Sequence, residues 1–142
     1  MAEQNFKNHT RLSGPYHGLT FGLLLIFLVG SIRYLVRAET TDKYPAVLLL
    51  LAALVLVLLW FFARAFALKA QDRAIRAEEG LRYFILTGKR LDPALRMGQI
   101  IALRFASDEE FPVLADRALR EQLGGKQIKE AIRNWRADHY RV

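Results

Sequence analysis

An all-α chain is expected from three features: two long apolar runs, a three-and-four spacing of apolar residues that outlasts the second run, and a polar remainder punctuated at Gly and Pro. The architecture they imply is a two-helix transmembrane hairpin whose second helix extends into a small cytosolic helical domain. The apolar runs cover residues 19–36 and 46–63. Each has about 18 residues, which at 1.5 Å per residue spans roughly 27 Å, close to the hydrocarbon thickness of a bilayer. Without water, every backbone N–H must be paired inside its own segment, and a helix does that. The expected divisions are an interfacial segment 1–18, a hairpin 19–68 and a cytosolic helical domain 69–142.

The leading segment is polar, with scattered Phe6, Leu12 and Tyr16. Ser13-Gly14-Pro15 is expected to break any helix before the first span, leaving the segment along the inner interface or on the tail domain. Gly18, Gly22 and Gly30 share one helical face, and Gly18-x-x-x-Gly22 would let a neighbouring backbone approach closely. Lys7 and Arg11 precede the first run, and Arg64, Lys69, Arg73, Arg76 and Arg82 follow the second; the connector carries only Arg33, Arg37 and Lys43. That imbalance predicts both termini in the cytoplasm. Tyr16, Tyr34 and Tyr44 suit an interfacial aromatic belt, and Arg33 is close enough to the outer end to snorkel. A cleavable signal sequence is the rival reading of the first run. The long polar leader, and Arg33 and Arg37 crowding the small residues, argue against it.

The second helix is the more informative. From Ala46 the positions Leu49, Ala53, Leu56, Trp60, Ala63, Ala67, Ala70, Ala74, Ala77, Leu81 and Phe84 form an unbroken heptad seam. Only the part beyond Arg64 tests the idea, since almost any residue inside the span is apolar. There Ala67, Ala70, Ala74, Ala77, Leu81 and Phe84 stay on the seam, while Lys69, Asp72, Arg73, Arg76, Glu78, Glu79 and Arg82 fall off it. One helix of about 40 residues, roughly 60 Å long, is predicted, ending at Thr87-Gly88. Its alanine edge needs cover, from a second copy or from another helix of the fold. A turn or unravelling between Arg64 and Gly80, or an edge facing open solvent, would remove the footing of the assembly reading given below.

Three shorter helices are expected after it. Asp92-Pro93 reads as N-cap and first helical residue of a helix through about Ala106. Arg104, inside an apolar stretch, needs a carboxylate, and Asp108, Glu109 or Glu110 is nearest in sequence. Ser107 to Glu110 has capping-box spacing, with Pro112 as a rival start; that helix should run to Leu123 and stop at Gly124-Gly125. The last helix should extend from Lys126 to about Asp138, with Ile128, Ile132 and Trp135 on one face. Lys126, Lys129, Arg133 and Arg136 would form a basic opposite face.

The residues Glu3-Gln4-Asn5-Phe6-Lys7-Asn8-His9-Thr10-Arg11, Ala70-Gln71-Asp72-Arg73-Ala74-Ile75-Arg76-Ala77-Glu78-Glu79, Ile101-Ala102-Leu103-Arg104-Phe105-Ala106-Ser107-Asp108-Glu109-Glu110-Phe111 and Asn134-Trp135-Arg136-Ala137-Asp138-His139-Tyr140-Arg141-Val142 point to a family. Across essentially its whole length the chain resembles an uncharacterised family of small bacterial two-pass membrane proteins, a domain of unknown function. The resemblance implies a bacterial inner membrane and brings no activity or site residue. Gly124-Gly125 departs from the capping pair expected there.

Chemistry finds little purchase. The chain has no cysteine, which removes disulfides, thiolate metal sites and a cysteine nucleophile. His9, His17 and His139 lie outside the apolar runs at no recognised ligand spacing, so interfacial hydrogen bonding is the expected role and no metal or cofactor is expected. Asp108-Glu109-Glu110 at a helix start reads as an electrostatic complement to the helix dipole. No catalytic constellation emerges, and the net charge of +7 fits the cytoplasmic flank of a membrane protein. The expected function is therefore non-enzymatic assembly, as a homo-oligomer or an accessory subunit of a larger membrane complex, with membrane lipid as a further partner. The alternative is a membrane-tethered helix-turn-helix module, with 114–123 and 126–138 as its two helices and Lys126, Lys129 and Arg133 facing nucleic acid. Glu121, Glu130 and Asp138 dilute that basic field and disfavour it.

Overall fold

The computed structural model describes residues 13–138, and among them every regular element is helical. Five α-helices follow a π-helical segment: α1 (Phe21–Arg37), α2 (Lys43–Thr87), α3 (Met97–Leu103), α4 (Phe111–Arg120) and α5 (Gly125–Ala131). Expectations resting on Phe6, Lys7, His9, Arg11, Leu12, His139 and Tyr140 lie outside the described residues. The chain divides into two compact units meeting between Ala67 and Leu68.

In the first unit the helical path begins earlier than expected. Ser13-Gly14-Pro15 does not break the chain but starts the π-helical segment Gly14–Thr20, which runs directly into α1. Pro15 sits in the first turn, where its missing N–H costs nothing. The wider π turn is marked by Thr20 Oγ1 donating to the Pro15 carbonyl at 3.0 Å. Helix α1 with its π-helical lead, and α2, are each long and apolar enough to cross a membrane. Ser31, Ala46 and Ala53 are the buried residues of this unit. Ser31 Oγ satisfies itself on the Phe27 carbonyl at 2.8 Å. Large apolar side chains stay open, Ile26 at 71% and Leu59 at 59% exposure, far beyond what water tolerates as a contiguous surface.

Among the described residues nothing packs closely against the glycine face. A Cβ built on Gly18, Gly22 or Gly30 meets nothing within 4 Å. The tight sites are instead Ala46 and Ala53, and an aromatic clasp ties the start of the unit to α2. Tyr16 stacks on Trp60 with ring centroids 5.2 Å apart, Phe21 packs on the same indole at 5.1 Å, and Tyr16 Oη donates to the Trp60 carbonyl. Trp60 Nε1 returns the bond to the Tyr16 carbonyl at 3.4 Å. Tyr16 is thus a packed residue first and a belt residue second.

In the second unit α2 keeps its register to Thr87, where Gly88 turns left-handed at φ +69° and donates its N–H to Phe84 O at 2.8 Å. Ile75 and Tyr83 enter a core completed by Leu95, Ile100, Leu103, Phe111, Leu114 and Ile128. Tyr83 meets Phe111 edge-on at 5.6 Å. Asp92-Pro93 forms a turn rather than a helix start: Asp92 Oδ1 accepts from Ala94 N at 2.8 Å, and α3 opens only at Met97. Gln99 caps it, its Oε1 accepting from Arg96 N at 2.8 Å. Helix α4 begins at Phe111 with Pro112 in its first turn, so the proline governs its start instead of a Ser107 capping box. It ends at Arg120, three residues before the expected Leu123, because Gln122 turns left-handed at φ 52°.

The last helix departs most. Helix α5 stops at Ala131, and Ile132 is extended. Arg136 N donates to Phe105 O at 2.7 Å, Ser107 N donates to Asn134 O at 3.1 Å, and Trp135 stacks on Phe105 at 4.7 Å. Ladder-like bonds and a buried aromatic contact outweigh two more turns of isolated helix. Gly124 and Gly125 are the start of α5, not a stop. A Cβ on Gly125 would lie 2.9 Å from the Gly98 carbonyl oxygen, so the pair lets α3 and α5 touch backbone to backbone.

Candidate functional site

The chemistry of the second unit gathers around Arg82. Helix register places Glu79 and Arg82 one turn apart on α2, beside Ile75 and Tyr83, so packing the apolar pair carries the charged pair inward. Arg82 Nη1 meets Glu79 Oε2 at 2.9 Å, and Nε and Nη2 both reach Asp108 Oδ1 at 2.7 Å. Nη2 also donates to Ala106 O at 2.7 Å, and the guanidinium lies 4.7 Å over the Phe111 ring. One planar side chain thus clips the segment after α3 onto α2, using the fork geometry that lysine lacks. Glu79 is 7% exposed and Asp108 has a half-open side chain, so the Glu79 arm is the costly one to lose.

Arg104 is paired, but not with its sequence neighbours. Its Nη1 meets Asp138 Oδ2 at 3.0 Å, because the extended tail returns across Phe105. The three nearest acids are taken elsewhere. Asp108 holds Arg82, and Glu110 accepts Arg133 N at 3.1 Å and Asn134 N at 3.3 Å. The Ser107 side chain beside Glu109, with the local backbone, holds that carboxyl below its ordinary value. The acidic cluster therefore fixes chain segments at the start of α4.

Two adjoining hollows flank this network. One of about 460 Å³ is lined by Gln71, Ile75, Glu78, Glu79, Arg104 and Arg136, and one of about 430 Å³ shares Glu78, Glu79 and Arg136 and adds Ile85 and Asp108. The lining offers carboxylate acceptors and guanidinium donors over an apolar floor. Among the described residues no three of His, Asp and Glu are grouped to hold a metal ion. His17 Nδ1 lies 3.1 Å from the Ser13 carbonyl oxygen.

The predicted basic face is dispersed. Lys126 approaches Glu130 at 3.8 Å, and Lys129 Nζ lies 5.5 Å from the Phe105 ring centroid. Arg133 and Arg136 follow α5 in the extended tail, and of the four only Arg136 lines the two hollows. A seven-residue α5 also removes the long second helix that a helix-turn-helix layout needs.

Among the described residues the alanine seam is left largely open. Ala70, Ala74 and Ala77 are exposed, Ala67 is half-buried, and Leu81 and Phe84 stand 60% and 52% exposed. The packed face is Ile75, Glu79 and Tyr83, about 170° around the helix at 100° per residue. Ala53 and Trp60, further back on the seam, pack inside the first unit instead. No sequence signal separated the two faces of α2 beyond Arg64, since both carry apolar residues at helical spacing. Gln99, 3% exposed, was missed as well: its Nε2 donates to Ala118 O at 3.2 Å and Leu123 O at 3.0 Å.

The chain belongs to a family of unknown function, DUF6526, whose profile it matches over residues 1–142. No curated protein and no solved structure matches it.

Proposed function

We propose that this protein is a non-enzymatic assembly component of a bacterial inner membrane, anchored by a two-helix hairpin with both termini in the cytoplasm. Two helices apolar enough to cross a bilayer support the anchorage, as do the wide-open Leu, Ile and Phe side chains of the first unit. The preponderance of Arg and Lys after the second apolar run supports the orientation and contact with anionic lipid.

The observation that carries the functional reading is the division of labour on α2. One face is spent on the helical domain, while the opposite one keeps Leu81 at 60% and Phe84 at 52% exposure. The edge is open in the single chain, so the assembly reading stands only if another chain covers it. Purification of the full chain from native membranes in mild detergent, followed by native mass spectrometry, tests this. A self-multiple or a stoichiometric foreign subunit supports assembly. A bare monomer at all protein concentrations refutes it. Introduced cysteines at Glu39 and Lys89 test orientation, since the chain has none of its own; labelling of Lys89→Cys from outside intact cells would overturn it.

A further inference from the structure

We infer that the open edge of α2 pairs with the same edge of a second copy as a parallel two-stranded coiled coil, locked by Arg73 of one chain against Glu78 of the other. The inference rests on the membrane assembly reading and specifies its partner, register and direction.

The spacing assigns the register without choice. Steps of three from Ala67 to Ala70, Ala74 to Ala77 and Leu81 to Phe84, separated by steps of four, put Ala67, Ala74 and Leu81 at heptad position a and Ala70, Ala77 and Phe84 at d. This edge lies opposite the Ile75–Glu79–Tyr83 face that holds the domain, and Ala70, Ala74, Ala77, Leu81 and Phe84 on it are exposed, although Ala74 and Leu81 also border the hollows that Arg136 lines. Alanines at a and d let the two backbones come close, and Leu81 and Phe84 supply the apolar area to bury at the distal end.

Charge complementarity selects the occupant and the direction. Position g of this register is Arg73 and position e of the next heptad is Glu78. In a parallel pair, g of one strand faces e of the following heptad on its partner, so symmetry creates the Arg73–Glu78 bridge twice. Both residues are exposed, and neither enters an ion pair among the described residues. Two copies inserted in one membrane with one topology present their α2 helices in parallel, the arrangement these charges require. Gly80 at the next g position places no charge against Ile85 at e. About three heptads would pair weakly as free peptides; anchorage in one membrane raises their effective concentration.

The test uses the full chain in native membranes and in mild detergent, with single cysteines in an otherwise cysteine-free protein. Oxidation should give disulfide-linked dimers for Ala70→Cys, Ala74→Cys and Ala77→Cys, and none for Lys69→Cys or Arg76→Cys, which are exposed but off the edge. Separately, Arg73→Glu or Glu78→Arg should weaken dimerisation about tenfold, and the double exchange should restore it to within about twofold. Crosslinks as frequent at Arg76 as at Ala74, or charge exchanges that add instead of cancelling, would overturn this pairing while a self-multiple still upheld assembly. A stoichiometric foreign subunit with no seam crosslinks would overturn the pairing and support the accessory role. A strict monomer would overturn both.

Discussion

Arg82→Ala removes the clip between α2 and the segment after α3, and the structure sets the size of the loss. Four acceptors lose their donor: Glu79, Asp108 and the Ala106 carbonyl, at 2.7 to 2.9 Å from the guanidinium, and the Arg104 carbonyl at 3.5 Å. The Asp108 side chain is 59% exposed, so its arm contributes less than about 1 kcal/mol. Glu79 is left buried without its partner, which costs about 3–4 kcal/mol in comparable sites. A helical unit of some 70 residues has roughly 4–10 kcal/mol to lose, so the variant sits near the edge of folding. Thermal unfolding followed by Trp135 fluorescence in a Trp60→Phe background should show a midpoint lower by at least about 12 °C. Asp108→Asn should move it by only a few degrees. Removing both charges, in E79M/R82M, should recover part of the loss, because an unpaired buried carboxylate costs more than a missing pair. The reasoning fails if Arg82→Ala and Asp108→Asn shift the midpoint equally, or if the double variant is worse than Arg82→Ala alone.

Three further outcomes follow from the same unit. Gln99→Leu leaves the Ala118 and Leu123 carbonyls and Arg96 N–H without their side-chain partner, and denaturant titration should show a loss of about 2–4 kcal/mol. Gly125→Ala forces α3 and α5 apart at the Gly98 carbonyl and should cost about 1–3 kcal/mol in the same titration, whereas Gly124→Ala, whose Cβ meets only the Gln127 side chain, should cost less. Because Ser107 lowers the Glu109 pKa, that group contributes stability above its unfolded pKa and loses it as pH falls through the lower folded value. NMR titration should find the Glu109 midpoint raised toward its ordinary value in Ser107→Ala, and no change there would refute Ser107 as the cause.

The path from residues to elements was short wherever the deciding interactions were local. The apolar runs, the unbroken helical pattern from Lys43 to Thr87 and the glycine stop at Gly88 all follow from bonds between residues a turn apart. Proline and glycine were read less well. Pro15 has the chemistry of a breaker yet begins a helical segment, Pro93 that of a start yet sits in a turn, and Gly125 that of a stop yet opens a helix. Each residue permits two outcomes, and which one is realised depends on what lies beside it in space.

Composition and periodicity sufficed to establish an all-helical chain carrying two segments apolar enough for a bilayer, because hydration and backbone pairing act on each segment alone. Packing settled the rest. It chose Ile75 and Tyr83 over the alanines as the buried face of α2, joined Arg104 to Asp138 across more than thirty positions, and ended α5 early so that Trp135 could lie on Phe105. Those outcomes turn on competition between surfaces of similar apolarity, and the winner is decided by shape and by partners distant in the chain, which no local pattern encodes.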